Sequence, residues 1–202
     1  SAFLPAVREK CKVIPYGIDL AAYRAAPAYP VLQPHSNHPK AVKALFVGRL
    51  VYYKGVTVLL RAMQQVQNCE LFLIGSGKLQ DTLQQMAEGM DTVHFLGSLS
   101  DADLRAALQE CDFLVLPSVA NSEAFGLVQL EAMVYGKPVI NTALPTGVPH
   151  VSLDGETGLT VPPESETALA KAMQTLVSDA VPNMEFRGQR TCRYLQKERY
   201  VL

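Results

Sequence analysis

The sequence predicts a doubly wound α/β domain, a parallel sheet with helices on both faces. Three observations predict it. From Ala41 onward, short apolar blocks alternate with longer blocks of helical period. The short blocks are apolar throughout rather than alternating, as strands covered on both faces are. The chain's 202 residues, 49% hydrophobic and 18% charged with a mean hydropathy of +0.10, suffice for a sizeable core without disulfides or a structural metal.

Each element follows from its residues. Val42–Val47 (VKALFV) is short and apolar and stops at Gly48, so a buried strand is expected. Gly55–Val66 places Val58, Leu59, Ala62, Met63 and Val66 at helical spacing. Glu70–Ile74 is a second strand ended by Gly75, Leu79–Ala87 a second helix and Thr92–Leu96 a third strand. Ser100 caps the next helix, with Asp103 three residues on in a near capping box. Asp112–Leu116 is a fourth strand, stopped by Pro117. Leu127–Tyr135 is a helix that Gly136 can close. Pro138–Asn141 and Gly158–Val161 are the last strands; Thr167–Val177 and about Asn183–Lys197 are terminal helices. The whole is a Rossmann-like order, in which ligands bind at the carboxyl ends of the strands.

Charge narrows the function. The formal net charge of −1 argues against a general nucleic-acid binder. Residues 1–40 carry +3, residues 182–202 carry +3, and the stretch between carries −7. A basic residue inside that acidic middle has few neighbours of its own sign. No window reaches the ~20 apolar residues that a membrane span needs. SAFLPAVREK at the N-terminus lacks the apolar run of a secretory signal. Cys11, Cys69, Cys111 and Cys192 form no CxxC pair, and His35 and His38 lie in a proline-rich stretch. Buried thiols in a reducing, cytoplasmic compartment are expected, and no metal site.

The strand-end loops carry the chemistry. Gly75-Ser76-Gly77 opens a helix after a strand, but Gln80 breaks the dinucleotide fingerprint, and Leu79 breaks a phosphate-binding loop. GRLVYYKG puts Arg49 just after the first strand and Lys54 at the start of the next helix. A lysine there opposes the helix dipole, which suits a bound anion. The ordinary alternative is a solvated lysine and an arginine paired with a neighbouring carboxylate. After the fourth strand, Glu123 lies in a loop and Gly126-Leu127 begin a helix whose free amides suit an anion. Gly126 offers close backbone approach. Eight residues of helix rise about 12 Å, so Glu123 and Glu131 suit two ends of one long ligand rather than one atom. For either glutamate alone, an ordinary surface or helix residue is the simpler account.

Together these blocks resemble the donor-binding half of retaining GT-B glycosyltransferases, the group 1 family. The match runs through KVIPYGID (Lys12–Asp19), FVGRLVYYKG, LFLIGSGKL, VHFLGSLSDADL, CDFLVLPS, SEAFGLVQLEAM, GKPVINT and DGETGLTVPP. Its most specific element is Glu123 with Glu131 eight residues on; Tyr16 and Lys78 depart from the usual Asn and Pro. The resemblance implies that Gly48, Arg49 and Lys54 hold the diphosphate of a nucleotide-sugar donor, helped by amides near Gly126 and Leu127. It implies that Glu123, Ala124 and Phe125 face the sugar, that Glu131 binds the ribose, and that Gly75, Leu96 and Gly97 line the base. Arg49, Lys54 and Glu123 would be the catalytic residues. No metal and no cofactor are implied, the donor being a co-substrate.

The family's architecture sets the expected organisation. Residues 1–26 would end an N-terminal acceptor domain and its hinge, 27–40 would be a proline-rich linker, 41–181 the donor domain, and 182–202 a C-terminal helix cut short. The acceptor domain would be the chief partner, with peripheral membrane contact through it. The piece alone would be inactive. Two other functions fit the same scaffold: a non-catalytic nucleotide or phosphosugar module, and a sugar-nucleotide epimerase. The glutamate spacing favours the transferase over the epimerase.

Overall fold

The apolar strands do assemble into one parallel sheet. A computed structural model describes residues 10, 23, 29–33 and 41–180. The strands are β1 (Val42–Val47), β2 (Cys69–Ile74), β3 (Val93–Gly97), β4 (Phe113–Val115), β5 (Val139–Thr142) and β6 (Gly158–Val161). Their spatial order is β3-β2-β1-β4-β5-β6, every neighbouring pair parallel. The chain therefore walks outward from β1 in one direction and then from β4 in the other. The crevice between β1 and β4 is the topological switch point, where such sheets bind ligands.

The helices are α1 (Val56–Met63), α2 (Gln80–Met86), α3 (Asp101–Glu110), α4 (Val128–Val134), α5 (Val148–Val151) and α6 (Glu166–Ala180). Strand residues alternate between two cores. Ala44, Phe46, Leu71, Leu73, Phe113 and Ile140 pack with residues of α1 and α6. Leu45, Phe72, Ile74, Leu114 and Val139 pack with residues of α3 and α4. Period-two alternation thus serves two buried faces, which is why the strands read as unbroken apolar runs.

Two features depart from that apolar expectation. Glu70 of β2 is fully buried, and its Oε2 lies 2.9 Å from Nε2 of His94 on β3. The short helix α5 was not foreseen; four residues carry too little periodicity to read. Ser100 does cap α3, accepting from the Asp103 amide at 3.2 Å. Residues 29–33 dock onto the domain: Leu32 is fully buried in the α3–α4 core, and Glu110 accepts from the amides of Val31 and Leu32. The KVIPYGID segment, Cys11, His35, His38, Cys192 and the helix expected over Asn183–Lys197 lie outside the described residues.

Candidate functional site

The loops after β1 and β4 meet at the switch point. Val119 donates its amide to the Tyr53 carbonyl at 2.8 Å. Gly55 passes so close to the second loop that a Cβ there would lie 1.9 Å from the Pro117 carbonyl oxygen, and its φ is +68°. Only glycine fits that crossing. Gly55 also corrects one expectation. Lys54 does not start a helix; it ends a 3-10 turn (Tyr52–Lys54), and α1 begins after the left-handed glycine.

This turn sets the positive side of the site. Arg49 is exposed and donates to the Tyr53 hydroxyl at 2.9 Å. The Tyr53 ring lies 5.9 Å from the Arg49 guanidinium and 5.5 Å from the Lys54 ammonium. One ring thus spaces both cations, a contact worth about 0.5–1 kcal/mol at an exposed site. Gly48 lies alongside, 3.4 Å separating its ideal Cβ position from the Lys54 chain.

The β4 loop brings the carboxylate. Lys54 Nζ pairs with Glu123 Oε2 at 2.5 Å, and Ser118 donates to the same oxygen at 2.9 Å. Thr142 at the end of β5 in turn donates to the Ser118 carbonyl at 2.6 Å. Three successive strand ends therefore fix one ion pair. Sequence spacing suggested neither the Lys54–Glu123 contact, whose partners are 69 residues apart and meet through the sheet, nor the role of Ser118, five residues before Glu123 in the same loop.

The turn after Glu123 is held from below. The Gly147 amide donates to the Ala124 carbonyl at 2.7 Å, and Gln129 Nε2 donates to the Phe125 carbonyl at 2.9 Å. Gln129 is fully buried and its Oε1 accepts from Asn141 Nδ2 at 2.9 Å. Across a trans peptide the next amide points opposite to the carbonyl. With the Phe125 carbonyl drawn onto Gln129, the N–H of Gly126, itself buried, points away from Gln129.

Gly126 has a reason to be glycine inside the domain itself. A Cβ would meet the Leu116 side chain at 2.5 Å, at a φ of +70°. The missing side chain relieves a clash inside the domain. Leu127, half-exposed, precedes α4. Glu123 and Glu131 do not share one helix, since α4 starts only at Val128.

Glu131 sits on α4 with its own partner: the Tyr23 hydroxyl donates to its Oε1 at 3.0 Å. Burial pushes the Glu131 carboxyl above its ordinary range, and Asp101 adds to this, while the Tyr23 bond pulls the other way. On the other side of β1, Gly75 donates its amide to the Gly97 carbonyl at 2.7 Å, joining the ends of β2 and β3 beside Leu96. Among the described residues no cluster of three His, Cys, Asp or Glu is placed to hold a metal ion, and no helix is long and apolar enough to cross a membrane.

A sheet in this order, with cations after β1 and a carboxylate after β4 joined across the crevice, defines a doubly wound domain with a charged switch-point site. The chain belongs to the group 1 glycosyltransferases, whose family model, "Glycosyl transferases group 1", matches residues 41–179. It is 39% identical over 191 residues to the D-rhamnosyltransferase WbpZ of Pseudomonas aeruginosa, covering 94% of this chain and 50% of that protein. It is 35% identical over 134 residues to the O-antigen chain mannosyltransferase C of Escherichia coli, covering 65% of this chain and 36% of that one. The chain thus spans half or less of these relatives' length.

Solved structures agree on the fold. HepE of Anabaena, solved in complex with UDP, superposes with a TM-score of 0.77 at 23% identity, over 94% of this chain and 53% of that one. Sucrose-phosphate synthase of Thermosynechococcus elongatus gives 0.74 at 28% identity, over 98% and 52%. These are the GT-B glycosyltransferase structures whose Rossmann-like half the present sheet matches.

Proposed function

We propose that the chain is the donor-binding half of a retaining glycosyltransferase. It moves a hexose from a nucleotide-diphosphate sugar to a glycan or lipid-linked acceptor in polysaccharide biosynthesis. The single observation that carries this is the Lys54–Glu123 pair fixed at the switch point, with Arg49 held beside it by Tyr53. The relatives named for rhamnosyl and O-antigen mannosyl transfer support the chemistry.

Arg49 and Lys54 hold the diphosphate. As the bond from the anomeric carbon to the diphosphate oxygen breaks, negative charge builds on the leaving phosphate. Cations already fixed by Tyr53 and Glu123 meet that charge without rearranging, which is where electrostatic catalysis gains most. Backbone amides near Gly126 and Leu127 add to this, and these groups supply the positive charge without a metal. Glu123, Ala124 and Phe125 face the sugar, Glu131 takes the ribose, and Gly75, Leu96 and Gly97 line the base.

The acceptor binds an N-terminal domain of the same enzyme, which also makes any peripheral membrane contact. Residues 1–26 belong to that domain and its hinge, 27–40 to the linker, and 182–202 to a returning helix. The donor half alone transfers little or no sugar. We place the enzyme in the cytoplasm; Cys69 and Cys111 are free, with burial pushing both thiols up to about 12.

Calorimetric titration of UDP, GDP and ADP tests the proposal. At least one should bind the wild-type chain, and Arg49→Ala and Lys54→Ala should each weaken it by roughly tenfold or more, as loss of a charged contact implies. Binding by none of the three sinks it.

A further inference from the structure

Tyr23 lies outside the matched segment 41–179, yet its side chain reaches the carboxylate on α4. Two contacts fix it there. Tyr135 donates its hydroxyl to the Tyr23 carbonyl at 2.9 Å, and the two rings meet edge to face with centroids 6.2 Å apart. Tyr135 stands four residues after Glu131, so both project from one helical face. The Tyr23 hydroxyl then takes Oε1 of Glu131, and among the described residues Oε2 has no hydrogen-bond partner.

We infer that Tyr23 is a positioning residue: it fixes the Glu131 carboxylate so that Oε2 faces outward to accept a ribose hydroxyl. The inference rests on the donor-site function proposed above. A carboxylate has two acceptor oxygens, and one fixed donor on the first sets the direction of the second. The Tyr23 bond also favours the ionised form of the group. Burial and Asp101 favour the neutral acid, and the Tyr23 bond is the chief opposing influence. The other groups facing this cluster are Tyr135 on α4 and Arg105 on α3; the latter's buried Nε has no hydrogen-bond partner. A protonated Glu131 would lose one acceptor, so the ribose contact depends on a residue N-terminal to the donor domain.

The test has two arms. In the unliganded chain, the Glu131 carboxyl is titrated by carbon-detected NMR in wild type and in Tyr23→Phe. Its midpoint should move to higher pH in the variant. Tyr135→Phe, which keeps the Tyr23 hydroxyl but loosens its backbone, should move it the same way by less.

In the second arm, whichever of UDP, GDP or ADP binds is titrated by calorimetry from pH 5.5 to 8, beside its 2′,3′-dideoxy analogue. Tyr23→Phe should weaken the natural nucleotide by roughly three- to tenfold, as loss of a hydrogen bond to a charged group implies, and shift its acidic limb upward. The dideoxy analogue should bind both proteins alike, and Tyr23→Phe should have no effect in a Glu131→Gln background. An unchanged carboxyl midpoint, or equal losses for both nucleotides, overturns the inference while leaving the donor site standing. Binding of no nucleotide by wild type overturns the donor site, and the ribose role of Glu131 falls with it.

Discussion

Two lysine–glutamate pairs sit at opposite ends of β1, and they differ in what surrounds them. At the amino end, Lys43 pairs with Glu110 of α3, with about a fifth of each side chain exposed. At the carboxyl end Lys54 pairs with Glu123 and is somewhat more buried. The first pair is closed. Glu110 Oε2 accepts from Val31 and Leu32, and Lys43 Nζ also donates to the Leu32 carbonyl at 2.9 Å. The second is open: Lys54 Nζ has one hydrogen-bond partner, and Glu123 Oε1 has none among the described residues. An ammonium carries three donors. A closed pair fastens chain to chain, whereas an open one keeps bonding capacity for a ligand.

That difference predicts opposite outcomes for one substitution. Lys43→Ala should destabilise the fold by about 2 kcal/mol, below the usual range for a fully buried pair because this one is partly wet. Nucleotide affinity should stay within about twofold, a shift under 0.5 kcal/mol. Lys54→Ala should cut nucleotide affinity by roughly a hundredfold, near 3 kcal/mol, since it removes the cation and leaves Glu123 repelling the diphosphate. Denaturant unfolding and calorimetry on both variants separate the effects. Equal loss of affinity in the two would erase the distinction between closed and open.

The closed end was the less legible of the two in the sequence. Lys43 and Glu110 lie 67 residues apart and drew no attention, because nothing in their spacing marks a pair. The strands were legible from local cues: β1 and β6 have the bounds their flanking glycine and apolar runs imply. Glu70 was not, since it reads as a polar edge to an apolar run and is in fact buried against His94. Arg49, Lys54, Glu123 and Glu131 stood out by motif, but Tyr53, Ser118 and Tyr23, the partners of Arg49, Glu123 and Glu131, did not. The Lys54–Glu123 and Tyr23–Glu131 contacts join residues 69 and 108 apart, which a linear pattern does not encode, whereas Tyr53 and Ser118 lie four and five residues from their partners in loops that have no period to read.

Support beneath the open pair gives the next test. Gln129 holds the Phe125 carbonyl and is itself held by Asn141, whose Oδ1 accepts from Thr160 at 2.7 Å. Gln129→Leu keeps much of the volume but removes one donor to the Phe125 carbonyl and one partner of Asn141. It should cost about 0.5–1.5 kcal/mol of stability for each hydrogen bond lost. It should also weaken a nucleotide sugar more than the bare nucleotide, if the turn it holds faces the sugar as proposed. Equal weakening of both would limit Gln129 to a packing role.

The smallest effects come from two glutamates with opposite pH behaviour. Burial would raise the Glu110 carboxyl, but Lys43 and the Leu32 and Val31 amides outweigh it and hold it below the ordinary 4.5. Its contribution is therefore present above that value and lost as pH falls through the lower folded one. Glu131 is raised, chiefly by burial, so its ionised form costs stability at neutral pH and the cost is relieved as pH falls through the raised value. Glu110→Gln should lower the melting temperature at pH 7, by up to about 2–4 °C per kcal/mol lost, with solvent screening trimming the loss. The deficit should close at acid pH. Glu131→Gln should raise the melting temperature at pH 7, by about 2–4 °C for each kcal/mol relieved, and the gain should shrink on acidification. Thermal melts between pH 3.5 and 7.5 decide it. A stabilised Glu131→Gln that has lost nucleotide affinity would mean that this carboxylate is kept at the expense of the fold, as a residue retained for binding rather than for packing is. A destabilised one would put Glu131 with Glu110 among the groups that fasten the chain.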